Sequence, residues 1–411
     1  MKIRNKFMLP VIGTIAILAI IGTIALVYSV NNLVATQEEH ATTFADDMFL
    51  DHLQGEAVGI MGNIDRIAER GREQAAIFAS LPSVRAAYQL AMTGDVNNET
   101  DPLVQQARED LRIKIAPLIK NLKQQTGTSK VNLHFHLSNN RSFVRTWRDG
   151  WQAMRNGKKV DISDDLSSFR KTVVTINQGQ HQPLTGVEIG RGGFVIRGLV
   201  PVTSAGGEHL GSCEVYFPFS ALFKMSIPEG EEHLNLAAYM DKSMLPVAKS
   251  LQDPSKYPVV DDKYVLTAAS DPQLMKELAS GKLLDSGRSE LQQQFIGSQL
   301  VSTFPILDFS GNTVGVFVLT HQTGEIDAMK SGMIASAKSA LSGIKTSMIV
   351  GVLVILVVIC GVIYTISGAI TKPIQTTVGL LGAISERDLS KDVPQELRNR
   401  KDEMGEMTQT L

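Results

Sequence analysis

The chain has 411 residues, with 40 lysines and arginines against 42 aspartates and glutamates, which gives a formal net charge of −2. This balance excludes the strongly basic surface that nucleic-acid binding needs, so we expect no nucleic-acid partner. Two cysteines are too few for a disulfide framework, and the sequence holds no Cys-x-x-Cys-His haem motif and no zinc ribbon. The composition therefore predicts an ordinary hydrophobic core and no cofactor.

Two apolar segments, residues 7–30 and 347–368, are long enough to cross a membrane. Each runs for roughly 20 residues or more without a charged side chain, which spans a hydrocarbon core of about 30 Å as a helix. A cleaved signal peptide is the alternative for the first segment, but its apolar run is long for one and no convincing cleavage site follows directly. We therefore predict two membrane-spanning helices.

Basic residues at the outer ends of these segments predict the orientation. Lys2, Arg4 and Lys6 precede the first segment, and Lys372 is the first charge after the second. Because cytoplasmic flanks carry an excess of basic residues, residues 1–6 and the C-terminal part are predicted to be cytoplasmic. We expect a multi-pass protein of the cell inner membrane, with the stretch between the two spans periplasmic or extracellular.

The first part of that exterior, residues 31–127, is predicted to be helical. Apolar residues recur at spacings of three and four from Phe44 to Ala79, and a second helical stretch runs from Pro102 to Gln125. A stripe this long exceeds what one small domain can cover, so we expect the helix to pack against a second copy of itself in a homodimer. A helix within a monomeric bundle is the alternative.

The pattern changes to alternation in residues 128–222, which predicts a mainly antiparallel sheet. Turns rich in glycine and asparagine separate the strands. Asp164–Phe169 is predicted to be a short helix with an acidic cap. The predicted strands are Val131–Leu137, Phe143–Trp147, Thr185–Ile189, Phe194–Val202 and His209–Phe217.

Residues 223–323 repeat part of this pattern. Pro201 is followed by a turn and then Gly211, and Pro305 is followed by a turn and then Gly315 at the same offset. An internal duplication of one small module explains the match, and chance resemblance of two hairpins is the alternative. Helices combined with mainly antiparallel sheets make the predicted fold class α+β.

Residues 324–346 return to a helical pattern that continues without a break into the second apolar segment. A continuous helix could carry a displacement of about 1–2 Å across a bilayer, the size of shift that switching interfaces use. We therefore predict a connecting helix between the exterior and the cytoplasmic side.

Residues 369–411 resemble a HAMP linker. Thr371-Lys372-Pro373-Ile374 matches the start of its first helix, and Asp402-Glu403-Met404-Gly405-Glu406-Met407 matches the opening of its second. Arg387-Asp388-Leu389 resembles the connector, although glycine is usual where Arg387 stands. The signalling-linker residues that this implies are Pro373, Asp402, Glu403 and Gly405.

The exterior resembles the third double-Cache subtype of bacterial methyl-accepting chemotaxis receptors. The motifs that carry this resemblance are Leu133-His134-Phe135-His136, Phe143-Val144-Arg145, Asp164-Asp165-Leu166-Ser167 and Gly186-Val187-Glu188-Ile189-Gly190. The resemblance implies two stacked PAS-like modules on a long helix, a membrane-distal one at residues 128–222 and a membrane-proximal one at residues 223–323. It also implies that a small-molecule ligand is held in the distal module.

The output is expected from the same resemblance. The chain stops at Leu411, inside what should be the second HAMP helix, and a signalling domain beyond it would act on the cytoplasmic chemotaxis kinase and its adaptor. A histidine kinase or a diguanylate cyclase output is the alternative. A membrane-anchored external enzyme is less favoured, because the sequence shows neither a nucleophile with a base nor a complete metal set. We predict no enzymatic activity.

Charged residues inside apolar strands are the candidate ligand-binding residues, because a buried charge must be paired. Arg145 and Trp147 share one face of a strand and would suit a small organic anion such as a carboxylate. For each charged candidate, pairing within the protein or exposure to solvent is the alternative, and Arg197 with Glu188 could form such a pair. The proximal strands are mostly apolar and are predicted to bind nothing tightly. The predicted ligand-binding residues are Arg145, Trp147, His136, Arg170, Glu188, Arg197 and Asp165.

His134 and His136 point the same way from one strand, a spacing that can hold a metal. Asp164 or Asp165 would have to complete such a site, and each is more simply a helix cap. A polar pocket wall or a solvated face is the simpler interpretation of the histidines, so no metal is predicted.

Overall fold

The computed structural model divides into two compact units. One is Asp47–Ile326, and the other combines Met1–Asp46 with Asp327–Leu411. The residues that the structure describes are 3–228, 230–231, 233–388 and 390–410.

Ten helices and thirteen strands occur in the described residues. The helices are α1 (Ile3–Ala79), α2 (Pro82–Ala91), α3 (Pro102–Thr126), α4 (Lys171–Gln178), α5 (Phe219–Ser226), α6 (Pro272–Leu278), α7 (Gly281–Ser286), α8 (Gly324–Ser385), α9 (Gln395–Arg398) and α10 (Glu403–Gln409). The strands are β1 (Leu133–Leu137), β2 (Ser142–Arg145), β3 (Ala153–Arg155), β4 (Lys158–Val160), β5 (Leu184–Gly190), β6 (Gly193–Thr203), β7 (His209–Pro218), β8 (Leu234–Asp241), β9 (Val259–Val260), β10 (Tyr264–Ala269), β11 (Gln292–Ile296), β12 (Gln299–Leu307) and β13 (Thr313–Gln322).

The unit formed by the chain ends contains the first part of α1 and most of α8. Each helix is long and apolar enough, by length and composition, to cross a membrane. Within this unit Lys338 Nζ lies 2.6 Å from Glu38 Oε1, and Lys330 Nζ lies 2.5 Å from Asp46 Oδ1. The two helices are therefore joined by ion pairs outside their apolar segments.

Lys2, one of the basic residues used to predict orientation, lies outside the described residues.

The predicted helical region before the sheets is divided at a proline. α1 ends at Ala79, and α2 begins at Pro82. Proline lacks a backbone N–H, which a helix does not use in its first turn, so Pro82 can begin a helix but could not continue α1. α3 begins at Pro102, as the sequence predicted, with the Asp101 side chain accepting from the backbone N–H of Leu103 at 2.9 Å.

Within residues 47–326, α1 lies along two separate sheets. Leu53 and Ile60 are fully buried in the core that contains strands of the second sheet, and Phe78 is buried in the core of the first. The helix lies directly on β6, because a Cβ at Gly198 would lie 2.4 Å from the carbonyl carbon of Gly71. Small residues at this point let the two backbones approach closely.

The two sheets have the same topology. The first has the strand order β2-β1-β7-β6-β5, and the second has β9-β10-β8-β13-β12-β11 when written in the same direction. All pairings are antiparallel, and β9 is an added edge strand. The α+β prediction is confirmed, with one sheet for each of two modules. We call β1, β2, β5–β7 and α4 the first module, and β8–β13, α6 and α7 the second module.

The hairpins β6–β7 and β12–β13 also share their register. Val202 pairs with Gly211, and Ile306 pairs with Gly315. In each hairpin the residue after the proline thus faces the glycine that the sequence pattern singled out. Identical strand order and identical register support the internal duplication.

The segment Asp164–Phe169 is not the short helix that the sequence predicted. The side chain of Asp165 accepts a hydrogen bond from the backbone N–H of Ser167 at 2.9 Å, which closes a turn instead of capping a helix. The helix α4 begins later, at Lys171. Local hydrogen bonding by an aspartate serves a turn as well as a helix cap, so the sequence alone could not separate the two.

Two further expectations about the first sheet need correction. β2 ends at Arg145, so Trp147 lies in the turn that follows instead of in the strand. Both faces of β1 are buried, and neither His134 nor His136 faces bulk solvent. The hairpin β3–β4 was not predicted, because its strands have only three residues each.

The C-terminal part of α8 and the region after it contain the elements at which the linker motifs were recognised. Pro373 lies inside α8, and α10 begins at Glu403 with Asp402 Oδ1 accepting from the backbone N–H of Gly405 at 3.2 Å. Arg387 adopts a φ of 63°, the left-handed conformation that favours glycine, in the turn that ends α8. Leu389 and Leu411 lie outside the described residues.

We predict that the protein loses stability when a Cβ is added at Gly211 or at Gly315, the equivalent glycines of the two hairpins. A Cβ at Gly211 would lie 2.1 Å from the carbonyl oxygen of His136, and one at Gly315 would lie 2.2 Å from that of Tyr239. Gly211→Ala and Gly315→Ala should each lower the free energy of unfolding by about 1–3 kcal/mol, since neither backbone contact can move easily.

Gly206→Ala, in the turn of the β6–β7 hairpin, is the matched control because its nearest neighbour would be 3.6 Å away. It should change the stability by less than about 0.5 kcal/mol. The measurement is thermal unfolding of the full chain in detergent, followed by circular dichroism. Equal stability of all three variants would contradict the packing argument.

Candidate functional site

A cavity of about 300 Å³ lies on one face of the first sheet. Five arginines and two carboxylates line it, so its wall carries an excess of positive charge. The lining residues are His134, Arg145, Trp147, Arg148, Asp164, Leu166, Phe169, Arg170, Gly190, Arg191, Gly192, Phe194, Val195, Arg197, Glu214, Tyr216 and Pro218.

The strand register brings the polar residues of this face together. His134 is paired with Glu214 on β7 and with Arg145 on β2, and Arg197 is paired with Tyr216. Directly paired residues of an antiparallel sheet share a face, and residues two apart on one strand do as well. These five side chains therefore converge on one side of the sheet, although they come from four different strands.

Four buried charges form an ion network, and three of them line the cavity. Arg170 donates from Nε to Glu188 Oε2 at 2.8 Å and from Nη2 to Glu214 Oε2 at 2.5 Å. Arg197 donates from Nη1 to Glu214 Oε2 at 3.1 Å, and its Nε lies 2.9 Å from Glu188 Oε2. Since an unpaired buried charge costs several kcal/mol, each member holds the others in place. The alternative that Arg197 and Glu188 pair with each other is what the structure contains.

The network sets the protonation state of the groups in its centre. Burial by itself would raise the pKa of Glu214, but Arg170 and Arg197 hold the pKa of this carboxyl well below its usual value. Burial lowers the pKa of His136 to about 4 and that of His134 well below its ordinary value. At neutral pH the wall therefore contains an ionised carboxylate and two neutral imidazoles.

Arg145 is held by a separate ion pair. It donates from Nη1 to Asp164 Oδ1 at 2.7 Å and from Nη2 to Asp164 Oδ2 at 3.0 Å, and Nη1 also donates to the carbonyl oxygen of Gln152 at 2.6 Å. The edge of its guanidinium that could clamp a carboxylate is thus occupied by a carboxylate of the protein. Arg145 lines the cavity, but it has fewer unused donors than the sequence argument assumed.

Arg197, by contrast, keeps donors that no described residue uses. Its Nη2 has no hydrogen-bond partner in the described part of the chain, and the buried Nε lacks hydrogen-bond geometry to Glu188. Its guanidinium carbon lies 5.3 Å from the centre of the Tyr216 ring, which packs edge-on against Trp147 at 5.2 Å. A planar cation beside an aromatic wall, expected for Arg145 and Trp147, is therefore formed by Arg197 and Tyr216.

The predicted ligand-binding residues divide into three groups. His136 and Glu188 do not line the cavity, and each contacts a residue that does. Asp165 is exposed in its turn, and its neighbour Asp164 occupies the wall instead. The predicted residues that line the cavity are Arg145, Trp147, Arg170 and Arg197.

Sequence reasoning missed four polar residues of the wall: Arg148, Arg191, Glu214 and Tyr216. Glu214 interrupts the apolar run of β7 as Glu188 interrupts that of β5, so the same signal was present and could have found it. Tyr216 follows Glu214 on the same face. Arg148 and Arg191 lie in turns, where no periodicity indicates which way a side chain points.

The equivalent positions of the second module are apolar. When the two hairpins are aligned by their shared register, Arg197 corresponds to Val301 and Glu214 to Val318. Both valines are fully buried in a core completed by side chains of α6 and α7. The two modules therefore share their strand arrangement, but the second has a packed apolar core where the first has a polar cavity.

The second module has a different hollow, of about 620 Å³. Its charges are paired with one another: Lys263 Nζ lies 2.8 Å from Asp285 Oδ2, and Arg288 Nη1 lies 2.5 Å from Asp241 Oδ1. The side chains of Lys263 and Asp285 are 59% and 43% exposed, so water screens them strongly. That the second module binds nothing tightly stays a prediction.

We predict that Arg145 is needed for stability. Arg145→Met leaves the buried Asp164 carboxylate unpaired, which should cost about 3–5 kcal/mol of unfolding free energy. Arg145→Met combined with Asp164→Leu removes both charges and should recover most of the loss. Thermal unfolding of the full chain in detergent measures the stability of both variants. An Arg145→Met variant as stable as the unaltered protein would contradict the prediction.

Comparison with known proteins gives one family match. The model of the dCache_3 family, described as the double sensory domain of two-component sensor kinase, matches residues 52–326. No protein in a search of curated sequences matched.

Solved structures similar to this chain share little sequence with it. The sensor domain of the Vibrio cholerae histidine kinase DctB is 11% identical, with a TM-score of 0.36, and the match covers 67% of this chain and 98% of that one. The periplasmic domain of Vibrio cholerae LuxQ is 12% identical, with a TM-score of 0.37, covering 66% and 99%. The ligand-binding domain of the Pseudomonas aeruginosa amino acid chemoreceptor PctB, in complex with L-Arg, is 12% identical, with a TM-score of 0.34, covering 72% and 98%.

The family match spans well over half of the chain and includes both modules and the part of α1 that packs on them. Helices able to span a membrane lie on either side of it in the sequence. The chain belongs to the dCache_3 family, and its residues 52–326 are the double Cache sensory domain of a membrane receptor.

Proposed function

We propose that this receptor binds a small organic anion in the cavity of the first module and passes the change to a cytoplasmic HAMP linker. The observation that carries the proposal is the unused hydrogen-bonding capacity of Arg197 in a wall lined by five arginines and two carboxylates. Nη2 of Arg197, which donates to no described residue, can donate a charge-assisted hydrogen bond to an incoming carboxylate.

The shape of the cavity supports a ligand of modest size. Its volume of about 300 Å³ is at the lower end of the range for small-molecule sites. The aromatic rings of Trp147 and Tyr216 offer an apolar surface beside the cation. A small carboxylate with an apolar part fits both features. Binding rather than catalysis is proposed, because the carboxylates and imidazoles of the described wall are held in hydrogen bonds and ion pairs.

The proposed output is chemotaxis signalling, through the cytoplasmic chemotaxis kinase and its adaptor. The linker motifs at α8 and α10 support a HAMP linker, and a displacement of α8 is the proposed signal. The sensor half of a histidine kinase is the second candidate, because the family description names two-component sensor kinases. The gene sequence after Leu411 tests the choice, since a methylated helical hairpin and a kinase core differ in their motifs.

We predict that Arg197→Lys weakens ligand binding by about tenfold to a hundredfold. Lysine keeps the charge that balances Glu188 and Glu214 but loses the planar fork, and a charge-assisted hydrogen bond contributes about 1.5–3 kcal/mol. The measurement is a thermal-shift screen of small carboxylates and amino acids on the full chain in detergent, followed by calorimetry on those that stabilise it.

Arg288→Lys is the matched control, because Arg288 lines the hollow of the second module. It should leave the affinity unchanged. Weakening by Arg288→Lys and not by Arg197→Lys would reverse the assignment of the site to the first module.

The receptor is further proposed to be a parallel homodimer through α1. Phe44 and Met48 are 56% and 39% exposed one helical turn apart, whereas Ala45 is fully buried within the chain. In a chain with Cys360 replaced by alanine, Phe44→Cys and Met48→Cys should cross-link between subunits, because an exposed apolar stripe would be covered by the second copy. Ala45→Cys should not. Equal cross-linking at all three positions, measured on a non-reducing gel, would argue against the dimer.

A further inference from the structure

Three potential metal-ligand atoms meet in the wall of the first module. His134 Nδ1 lies 2.9 Å from His136 Nε2 and 3.1 Å from Glu214 Oε1, and His136 Nε2 lies 3.5 Å from the same oxygen. All three side chains are at most 2% exposed. In a tetrahedral zinc site, with metal–ligand distances of about 2.0–2.1 Å, neighbouring ligand atoms are about 3.3 Å apart. The triangle therefore already has the dimensions of such a site.

The outer nitrogen of each ring has a hydrogen-bonding partner, which a histidine needs to hold its ring orientation as a metal ligand. His134 Nε2 lies 2.8 Å from Ser142 Oγ, and His136 Nδ1 lies 3.0 Å from Ser212 Oγ. Ser142 can donate its proton to Gln152 Oε1 at 3.3 Å, which leaves its oxygen free to accept from His134 Nε2. That arrangement puts the ring proton on the outer nitrogen and directs the lone pair of Nδ1 into the triangle.

The ion network leaves one oxygen of the carboxylate available. Arg170 and Arg197 both contact Oε2 of Glu214, whereas the two imidazoles approach Oε1. The arginines thus orient the carboxylate without occupying the oxygen in the triangle. A nitrogen lone pair 3.1 Å from a carboxylate oxygen is favourable only with a proton or a cation between them.

We propose that His134, His136 and Glu214 form a binding site for a divalent transition metal of the Zn²⁺ class. Two imidazoles and one carboxylate suit such an ion better than Mg²⁺ or Ca²⁺, which prefer sites made of oxygen. His134 and Glu214 line the cavity, so the ion can enter from it and take its fourth ligand, a water or an anion, from the same side. Three protein ligands and one open position make this a site that can exchange its fourth partner.

The first test needs no variant. The full chain, purified in detergent without a polyhistidine tag and stripped with a chelator, is dialysed against Zn²⁺ and its metal content measured. One Zn²⁺ per chain is expected, and X-ray absorption at the zinc edge should show two imidazole ligands with the remainder oxygen. No uptake, or an imidazole count other than two, would overturn the proposal.

The second test assigns the residues. His136→Gln should abolish stoichiometric uptake, and Ser212→Ala, which removes the support of the ring, should weaken it by about tenfold to a hundredfold. His209→Gln is the matched control, because His209 stacks on His181 in the same module at 3.8 Å, outside the triangle. Circular dichroism verifies that each variant is folded. Equal uptake by folded His136→Gln and by the control would place the metal elsewhere and refute the site.

Discussion

Glu214 is fully buried on the central strand of the first sheet and contacts side chains from one turn and two neighbouring strands. Arg170 comes from the end of the turn before α4, Arg197 from β6, and the two histidines from β1. Removing either arginine would leave buried negative charge without its counterpart, at a cost of several kcal/mol. The position of the turn, of α4 and of two strands is therefore tied to one carboxylate. Replacing such a network by apolar side chains is often neutral or stabilising, so the reason for its presence is to be sought in what it positions.

The second module has the same strand arrangement without the buried charge network. Its topology and register match those of the first module, but valines stand where Arg197 and Glu214 would be. There the sheet face packs against Met275, Leu283 and Leu284 of α6 and α7. An apolar face can be covered by helices and closed, whereas a charged face keeps an accessible cavity because its charges retain hydrogen-bonding capacity. One duplicated framework thus provides both a polar cavity and a solid core.

Close backbone approach is the second constraint that both modules share. Gly198 lets α1 lie on β6, Gly211 lets β7 approach β1, and Gly315 lets β13 approach β8. These contacts leave no room for a Cβ, so the backbone of α1 and those of these strands are in direct contact. Close packing of this kind supports the positions of the side chains that line the cavity, as a preorganised site requires.

The sequence by itself determined the class of fold, the two apolar helices, most strands of the first sheet and the repeated hairpin pattern of the second, because each of these depends on periodicity and spacing along the chain. It also identified Glu188 and Arg197, because a charge in an apolar strand stands out locally, and Arg170, which follows the acidic segment at Asp164 and Asp165. Only the tertiary structure decided that Asp164 forms an ion pair with Arg145 and that Asp165 closes an exposed turn. It also decided that Glu214 contacts both the histidines and the arginines. The physical reason is that a hydrogen bond or ion pair between strands depends on register and side-chain direction across dozens of residues of separation, and neither quantity has a local signal in the sequence.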